Sequence, residues 1–148
     1  MSILFICGGE KGGNTSDLGH ELLKGHDFDQ LDLVDHKVYD YGQRFDDDQF
    51  DKVLARFKQA DTIVLGSPVY WHDLSGMTRN LLDRFYGSVP EGSMAGKRLF
   101  FIFQGAAPTT AMLERAEYTV SRFAGLYGME YMGMATNVRE AVELAKRL

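Results

Sequence analysis

A chain of 148 residues, 45% hydrophobic and 25% charged, can bury one proper core but is too short for two ordinary domains, so residues 1–148 are read as a single domain. Sixteen Lys and Arg against 21 Asp and Glu give a net charge of −5, which argues against a nucleic-acid partner or an anionic membrane surface. The lone cysteine, Cys7, rules out an intrachain disulfide, a thiolate zinc site and a cysteine-ligated iron–sulfur cluster within one chain; no metal is expected, and a reducing cytoplasm fits.

The opening run Ile3–Cys7 is continuously apolar and ends in glycines, as a central strand covered on both faces does. It is far too short to cross a bilayer. Next comes GGEKGGNTSDL, four glycines followed by Asn14, Thr15 and Ser16 at a helix start. Glycines let backbone N–H groups converge on an anion, and a helix N-terminus adds partial positive charge, so this loop reads as a phosphate cradle built on Gly9, Gly13, Asn14 and Thr15. Asn14 stands where a triphosphate-binding loop needs Lys, and no GxGxxG occurs, which points to a single terminal phosphate. Glu10 and Asp17 oppose an anion nearby; Lys11 offsets them where its side chain turns inward. A phosphatase would place an Arg six residues after Cys7, and that position is Gly13, so Cys7 is assigned to the core.

A weaker strand is expected at Asp29–Leu33. Phe50, Val53, Leu54 and Phe57 then share one face of a helix, with Asp46–Asp48 expected to cap it. Thr62–Leu65 repeats the buried-strand pattern and runs into GSPVYWHDLSGMTRNLLDRF, where Gly66 and Pro68 are expected to turn the chain out of the sheet. Met77, Leu81, Leu82 and Phe85 follow at helical spacing after Ser75. Leu99–Phe103 is a further strand, Leu113–Tyr127 a long helix, Glu130–Ala135 a last strand, and Asn137 with Glu140 a capping box for the closing helix. Five strands alternating with helices imply an α/β, three-layer, doubly wound parallel sheet. Ligands then sit at the carboxyl ends of the strands, in the loops 8–14, 66–75 and 104–109. In the second loop Val69, Tyr70 and Trp71 present apolar and aromatic surface, suited to a planar ring or to a subunit contact. In the third, Gly105 and Ala106 are small enough to admit a ring edge, and Gln104 can bond to it.

GSPVYW followed by SGMTRNLLDRF resembles the flavodoxin-like NAD(P)H-dependent FMN reductase and flavoprotein family, and the first loop is similar to that family's phosphate loop at Gly13, Asn14 and Thr15. The resemblance implies a sheet of order 2-1-3-4-5. It also implies FMN as cofactor, held by Gly9, Lys11, Gly13, Asn14, Thr15, Pro68, Val69, Tyr70, Trp71, His72, Gln104, Gly105 and Ala106. NADPH or NADH would be the co-substrate, with a quinone, flavin or similar small acceptor, and a homodimer is the favoured assembly. The flavin's N5 carries the chemistry in such enzymes, so no catalytic side chain is named; His72 and Asp73 are read as a possible pair and not as catalytic. Two departures stand out: Gly8 and Glu10 replace a Ser and an Arg of many members, and HKVYDYGQRF carries no cysteine cluster, unlike the iron–sulfur branch. The alternative is a flavodoxin-type electron carrier without nicotinamide activity; Arg79, Arg84, Lys97 and Arg98, expected to flank the site, weigh against it. A phosphoacceptor domain is set aside for want of an Asp after the third strand.

Overall fold

The computed structural model describes all of residues 1–148. Strands β1 (Ile3–Cys7), β2 (Asp29–Asp32), β3 (Thr62–Tyr70), β5 (Arg98–Gln104) and β6 (Glu130–Ala135) form a parallel sheet in the order β2-β1-β3-β5-β6, and the two-residue β4 (Asp73–Leu74) pairs antiparallel with the end of β3. Leaving out β4, this is the order 2-1-3-4-5 that the resemblance implies. Helices α1 (Asn14–Leu22), α2 (Phe50–Gln59), α3 (Gly76–Phe85), α4 (Thr110–Leu126) and α5 (Val138–Ala145) make the crossovers.

Because side chains alternate along a strand, the central strands feed two separate cores. Leu4, Ile6, Ile63, Leu65, Phe101 and Phe103 pack beneath α2, α3 and α4, while Ile3, Phe5, Cys7, Val64, Phe100 and Ile102 pack beneath α1 and α5. Phe85 sits at the centre of the first core, edge-on to Phe50, Phe57, Phe123 and Tyr127. No helix is long and apolar enough to cross a membrane.

Two expectations are corrected. Gly66 and Pro68 do not turn the chain out of the sheet: β3 continues through both, pairing Gly66 with Ile102, Ser67 with Phe103 and Pro68 with Gln104. Proline is tolerated there because β1 ends opposite Gly66, leaving β3 without a neighbour on that side. The turn comes at Trp71 and His72, both left-handed at φ 47° and 66°. Of the three acids before α2, only Asp48 bonds a helix amide, accepting from Phe50 N at 2.9 Å. Asp47 is drawn instead to Lys37 and Tyr39.

Candidate cofactor site

The first loop is fixed by its surroundings rather than by its own sequence. Gly8 N donates to Gly66 O at 2.8 Å, Ser75 Oγ donates to Gly8 O at 2.6 Å, and Ser67 Oγ accepts from Ser75 N at 2.9 Å. A Cβ placed on Gly8 would lie 1.9 Å from Thr78 Oγ1, so the Gly8 departure is the partner of a buried threonine from α3. Gly13 N closes a turn onto Glu10 O at 3.0 Å, and α1 then begins with Gly13 as a cap that offers no side chain. The first-turn amides are thereby left free of a side-chain cap, which suits an anion at this position. A Cβ on Gly9 would touch Thr15 Oγ1 at 3.3 Å and Pro68 Cδ at 3.4 Å, so Gly9, Thr15 and Pro68 adjoin.

Pro68 leads directly into the second feature. Val69 pairs with Leu74 and Tyr70 with Asp73, making a tight hairpin whose two central residues are Trp71 and His72. Trp71 is 93% exposed. Opposite the hairpin lies the β5–α4 loop, so close that a Cβ on Gly105 would sit 2.7 Å from Val69 Cγ2. Between them is an open cleft of about 290 Å³ lined by Val69, Trp71, His72, Gly105, Ala106, Ala107, Pro108 and Met112. Its walls are apolar or small, the character of a site for a flat aromatic ring. The hairpin is closed by Asp73 Oδ1, which accepts from Leu74 N at 2.8 Å; Arg115 from α4 donates to His72 O at 3.2 Å from the exposed side.

Most of the expected residues therefore meet. Gly9, Thr15 and Pro68 adjoin, and Val69, Trp71, His72, Gly105 and Ala106 share the cleft. Tyr70 alternates to the other side of the hairpin and does not line the cleft. Asn14 and Gln104 line a neighbouring cleft of about 400 Å³ with Asp17, Thr136 and Asn137. The Lys11 ammonium is bonded to Asp35 at 2.6 Å, beyond the end of β2. His72 and Asp73 do not pair; the Asp73 carboxylate faces Arg115 instead. Cys7 is buried, and burial pushes its thiol up from the ordinary range, aided by Asp32, which keeps it protonated core. Burial and charge likewise explain what sequence reasoning passed over. Ser67, Ser75 and Thr78 are buried polar groups bonded to one another, to Pro68 O and, through Ser75, to Gly8 O of the first loop, and Arg115 carries no motif at all.

None of the four cations expected to flank the site lines the ring cleft, and Arg79 lies in the groove between α3 and α4, paired with Asp83. Lys97 and Arg98 stand at the start of β5, the opposite end of the sheet, where Lys97 serves the carbonyls of Lys58 and Ala60 and Arg98 those of Arg147 and Leu148. Arg84 forms a bidentate pair with Asp48.

Residues 1–142 match the sequence profile of the NADPH-dependent FMN reductases. The chain belongs to that family. Among curated proteins, this FMN reductase family member is 28% identical over 94 residues to a Bacillus subtilis protein provisionally named an NAD(P)H-dependent FMN-containing oxidoreductase, a match that covers 57% of this chain and 52% of that one. It is 30% identical over 96 residues to an FMN-dependent NADH:quinone oxidoreductase of Methylobacterium radiotolerans, covering 55% and 47%. An iron–sulfur flavoprotein of Archaeoglobus fulgidus is 31% identical over 97 residues, covering 57% and 48%, although this chain has the one cysteine, buried in β1. The matches thus span about half the length of these relatives. The fold agrees over the whole chain with the Trp repressor binding protein of Bacillus subtilis, at TM-score 0.77 and 19% identity, covering 100% of this chain and 98% of that one. It agrees also with an FMN-dependent NADH-azoreductase of Bacillus anthracis in complex with FMN, at 0.67 and 14%, covering 99% and 95%.

Proposed function

We propose that residues 1–148 are one FMN-binding domain of an NAD(P)H-dependent oxidoreductase that passes electrons from a nicotinamide to a small acceptor such as a quinone or another flavin. The observation that carries this reading is the cleft between the Trp71 hairpin and the Gly105 loop, beside a glycine loop at the start of α1, in a member of this family. The residues fit the group. The amides around Gly9, Gly13, Asn14 and Thr15 would bind the phosphate, helped by the partial positive charge of α1. Pro68, Val69, Trp71, His72, Gly105 and Ala106 would hold the ring, and Gln104 is read as a polar group for its pyrimidine edge. When bound, FMN supplies the redox chemistry, taking a hydride from the nicotinamide and releasing electrons to the acceptor. The protein's share is to orient the two rings and to keep water from the covered face; no side-chain acid or base is required.

A one-electron carrier would bind the same cofactor. With Lys97 and Arg98 at the far end of the sheet, charge does not separate the two readings, and the weight rests on the family. The separating experiment is stopped-flow spectroscopy of the FMN-loaded protein mixed with NADPH or NADH. Bleaching of the flavin band on mixing is expected; a flavin that stays oxidised with both nucleotides marks a carrier, and a protein that fails to take up FMN sinks both. We further read the assembly as a homodimer and the location as cytoplasmic, supported by the exposed aromatics Tyr41, Tyr86 and Trp71 and by the single buried thiol.

A further inference from the structure

The guanidinium of Arg115 bonds a residue that lines the ring cleft, and its partners leave most of its donors unused. It reaches the cleft through Nη2, which donates to the carbonyl of His72, a lining residue, at 3.2 Å. Met112, one turn earlier on α4, lines the cleft, which sets Arg115 beside it. Its sole carboxylate neighbour, Asp73, stands 3.5 Å from Nε, longer than an ordinary charged hydrogen bond, and both side chains are about half exposed, at 54% and 45%. A pair of that kind holds its members weakly. Cations of the first loop and of α3 are engaged at shorter range: Lys11 with Asp35 at 2.6 Å, Arg84 with Asp48 at 2.6 Å, Arg79 with Asp83 at 3.1 Å. Arg115 therefore retains a planar fork of N–H donors facing solvent beside an apolar slot, in a chain of net charge −5 that otherwise repels anions.

Resting on the reading that this site accepts a nicotinamide donor, we propose that Arg115 binds a phosphate group of the incoming NAD(P)H and so determines the enzyme's affinity for the donor. A nicotinamide stacked over the cleft trails a dianionic pyrophosphate, and in NADPH a further phosphate on the ribose. Fork-like recognition of phosphate oxygens by a guanidinium is the strongest contact that a half-exposed side chain can offer them. Asp73 would be displaced or would swing to solvent as the phosphate arrives. The bond to His72 O uses one donor and leaves the rest for the nucleotide.

The test compares FMN-loaded wild type with Arg115→Gln and Arg115→Lys. Stopped-flow reduction by NADPH and by NADH gives the donor dissociation constant and the limiting rate; calorimetric titration of the oxidised protein with NADP⁺ and NAD⁺ reads binding without turnover. FMN affinity and the emission of Trp71, the only tryptophan, report on the hairpin. Arg115→Gln is expected to weaken nucleotide binding about tenfold or more, the scale of a lost charged hydrogen bond, with limiting rate, FMN affinity and Trp71 emission unchanged within about twofold. Arg115→Lys should recover part of the loss and keep its salt dependence. A loss confined to the NADP forms assigns the ribose phosphate and an equal loss for both nucleotides assigns the pyrophosphate; either supports the proposal. Unchanged nucleotide affinity in Arg115→Gln overturns it, as does a change in Trp71 emission or FMN affinity alone, which would make Arg115 a hairpin support only. A wild-type protein that neither nucleotide reduces overturns the donor reading itself, and this proposal with it.

Discussion

Gly105 and Val69 meet across the floor of the ring cleft with no room for another carbon, since a Cβ on Gly105 would stand 2.7 Å from one Val69 methyl carbon and 2.8 Å from its Cβ. Gly105→Ala should therefore push the two walls of the cleft apart. Overpacking of this size costs about 1–3 kcal/mol, and we expect FMN binding to weaken about tenfold, measured by quenching of flavin fluorescence, with recovery in the double variant Gly105→Ala, Val69→Ala. Single-residue chemistry was legible where a residue type has few other uses. Val69 and Trp71 after one buried strand and Gly105 and Ala106 after another pointed to the cleft they line, while Tyr70 beside them faces elsewhere. Arg115 was not legible, because an arginine on a long amphipathic helix looks like any solvated charge until its contact with His72 is seen. Ser67, Ser75 and Thr78 hid for the opposite reason: their hydroxyls are buried and bonded among these three residues and to Pro68 O, and the one link that matters to the first loop, Ser75 Oγ to Gly8 O, spans 67 residues of sequence.

At the scale of elements, the segment between β2 and α2 has little regular structure and is fastened to α3 by Arg84. This guanidinium makes a bidentate pair with Asp48 at 2.6 and 3.0 Å, bonds Tyr39 O at 3.1 Å and stacks on the Phe50 ring at 4.8 Å. Both charged side chains are less than one-fifth exposed, at 18% and 19%, so solvent screens the pair less than a surface one. The hydrogen bond from Arg84 lowers the Asp48 carboxyl from 3.8 to about 2. A carboxyl that ionises more easily in the folded state stabilises the fold above its unfolded value and loses that contribution as pH falls through its folded one. The Asp48 contribution should thus be complete above 3.8 and vanish toward about 2. Asp48→Asn is expected to lower stability at neutral pH by about 1–3 kcal/mol, and urea unfolding across that acid window should show wild type and variant converging. Helices were readable from their apolar stripes and the three central strands from their continuous apolar runs, whereas β2 and β6 carry only weak patterns. The hairpin was not, since Gly66 and Pro68 suggest an exit from the sheet, whereas the chain leaves three residues after Pro68 through a turn whose central residues, Trp and His, are poor candidates for left-handed backbone.

Across the whole molecule the charges and the apolar surface are arranged differently from what the sequence suggests. Lys97 and Arg98 precede the carboxyl end of the sheet by the length of β5, seven residues and about 20 Å at the usual rise of a strand. A mostly apolar groove of about 450 Å³ lies between α3 and α4, lined by Tyr41, Leu82, Tyr86, Phe123, Leu126 and Tyr127, with Arg79, Asp83 and Thr119 as its polar members. A groove of this composition is suited to a second copy of the chain. Sedimentation of the wild type should report twice the chain mass, and Tyr86→Glu with Leu126→Glu should return it to one while FMN binding persists; a wild type that sediments as one chain removes the dimer. The sheet order followed from the family resemblance, because strand pairing is decided by contacts between distant segments that no single stretch of sequence records. Gly8, Ser75 and Thr78 interlock at the start of the glycine loop. With its carbonyl held by α3 and its Cα pressed against Thr78, the glycine loop is preorganised: its conformational entropy is lost when the protein folds, not when a phosphate arrives. Capture should then proceed at the rate of encounter, without a slow ordering step, in a loop whose glycine content would otherwise suggest the most mobile part of the chain.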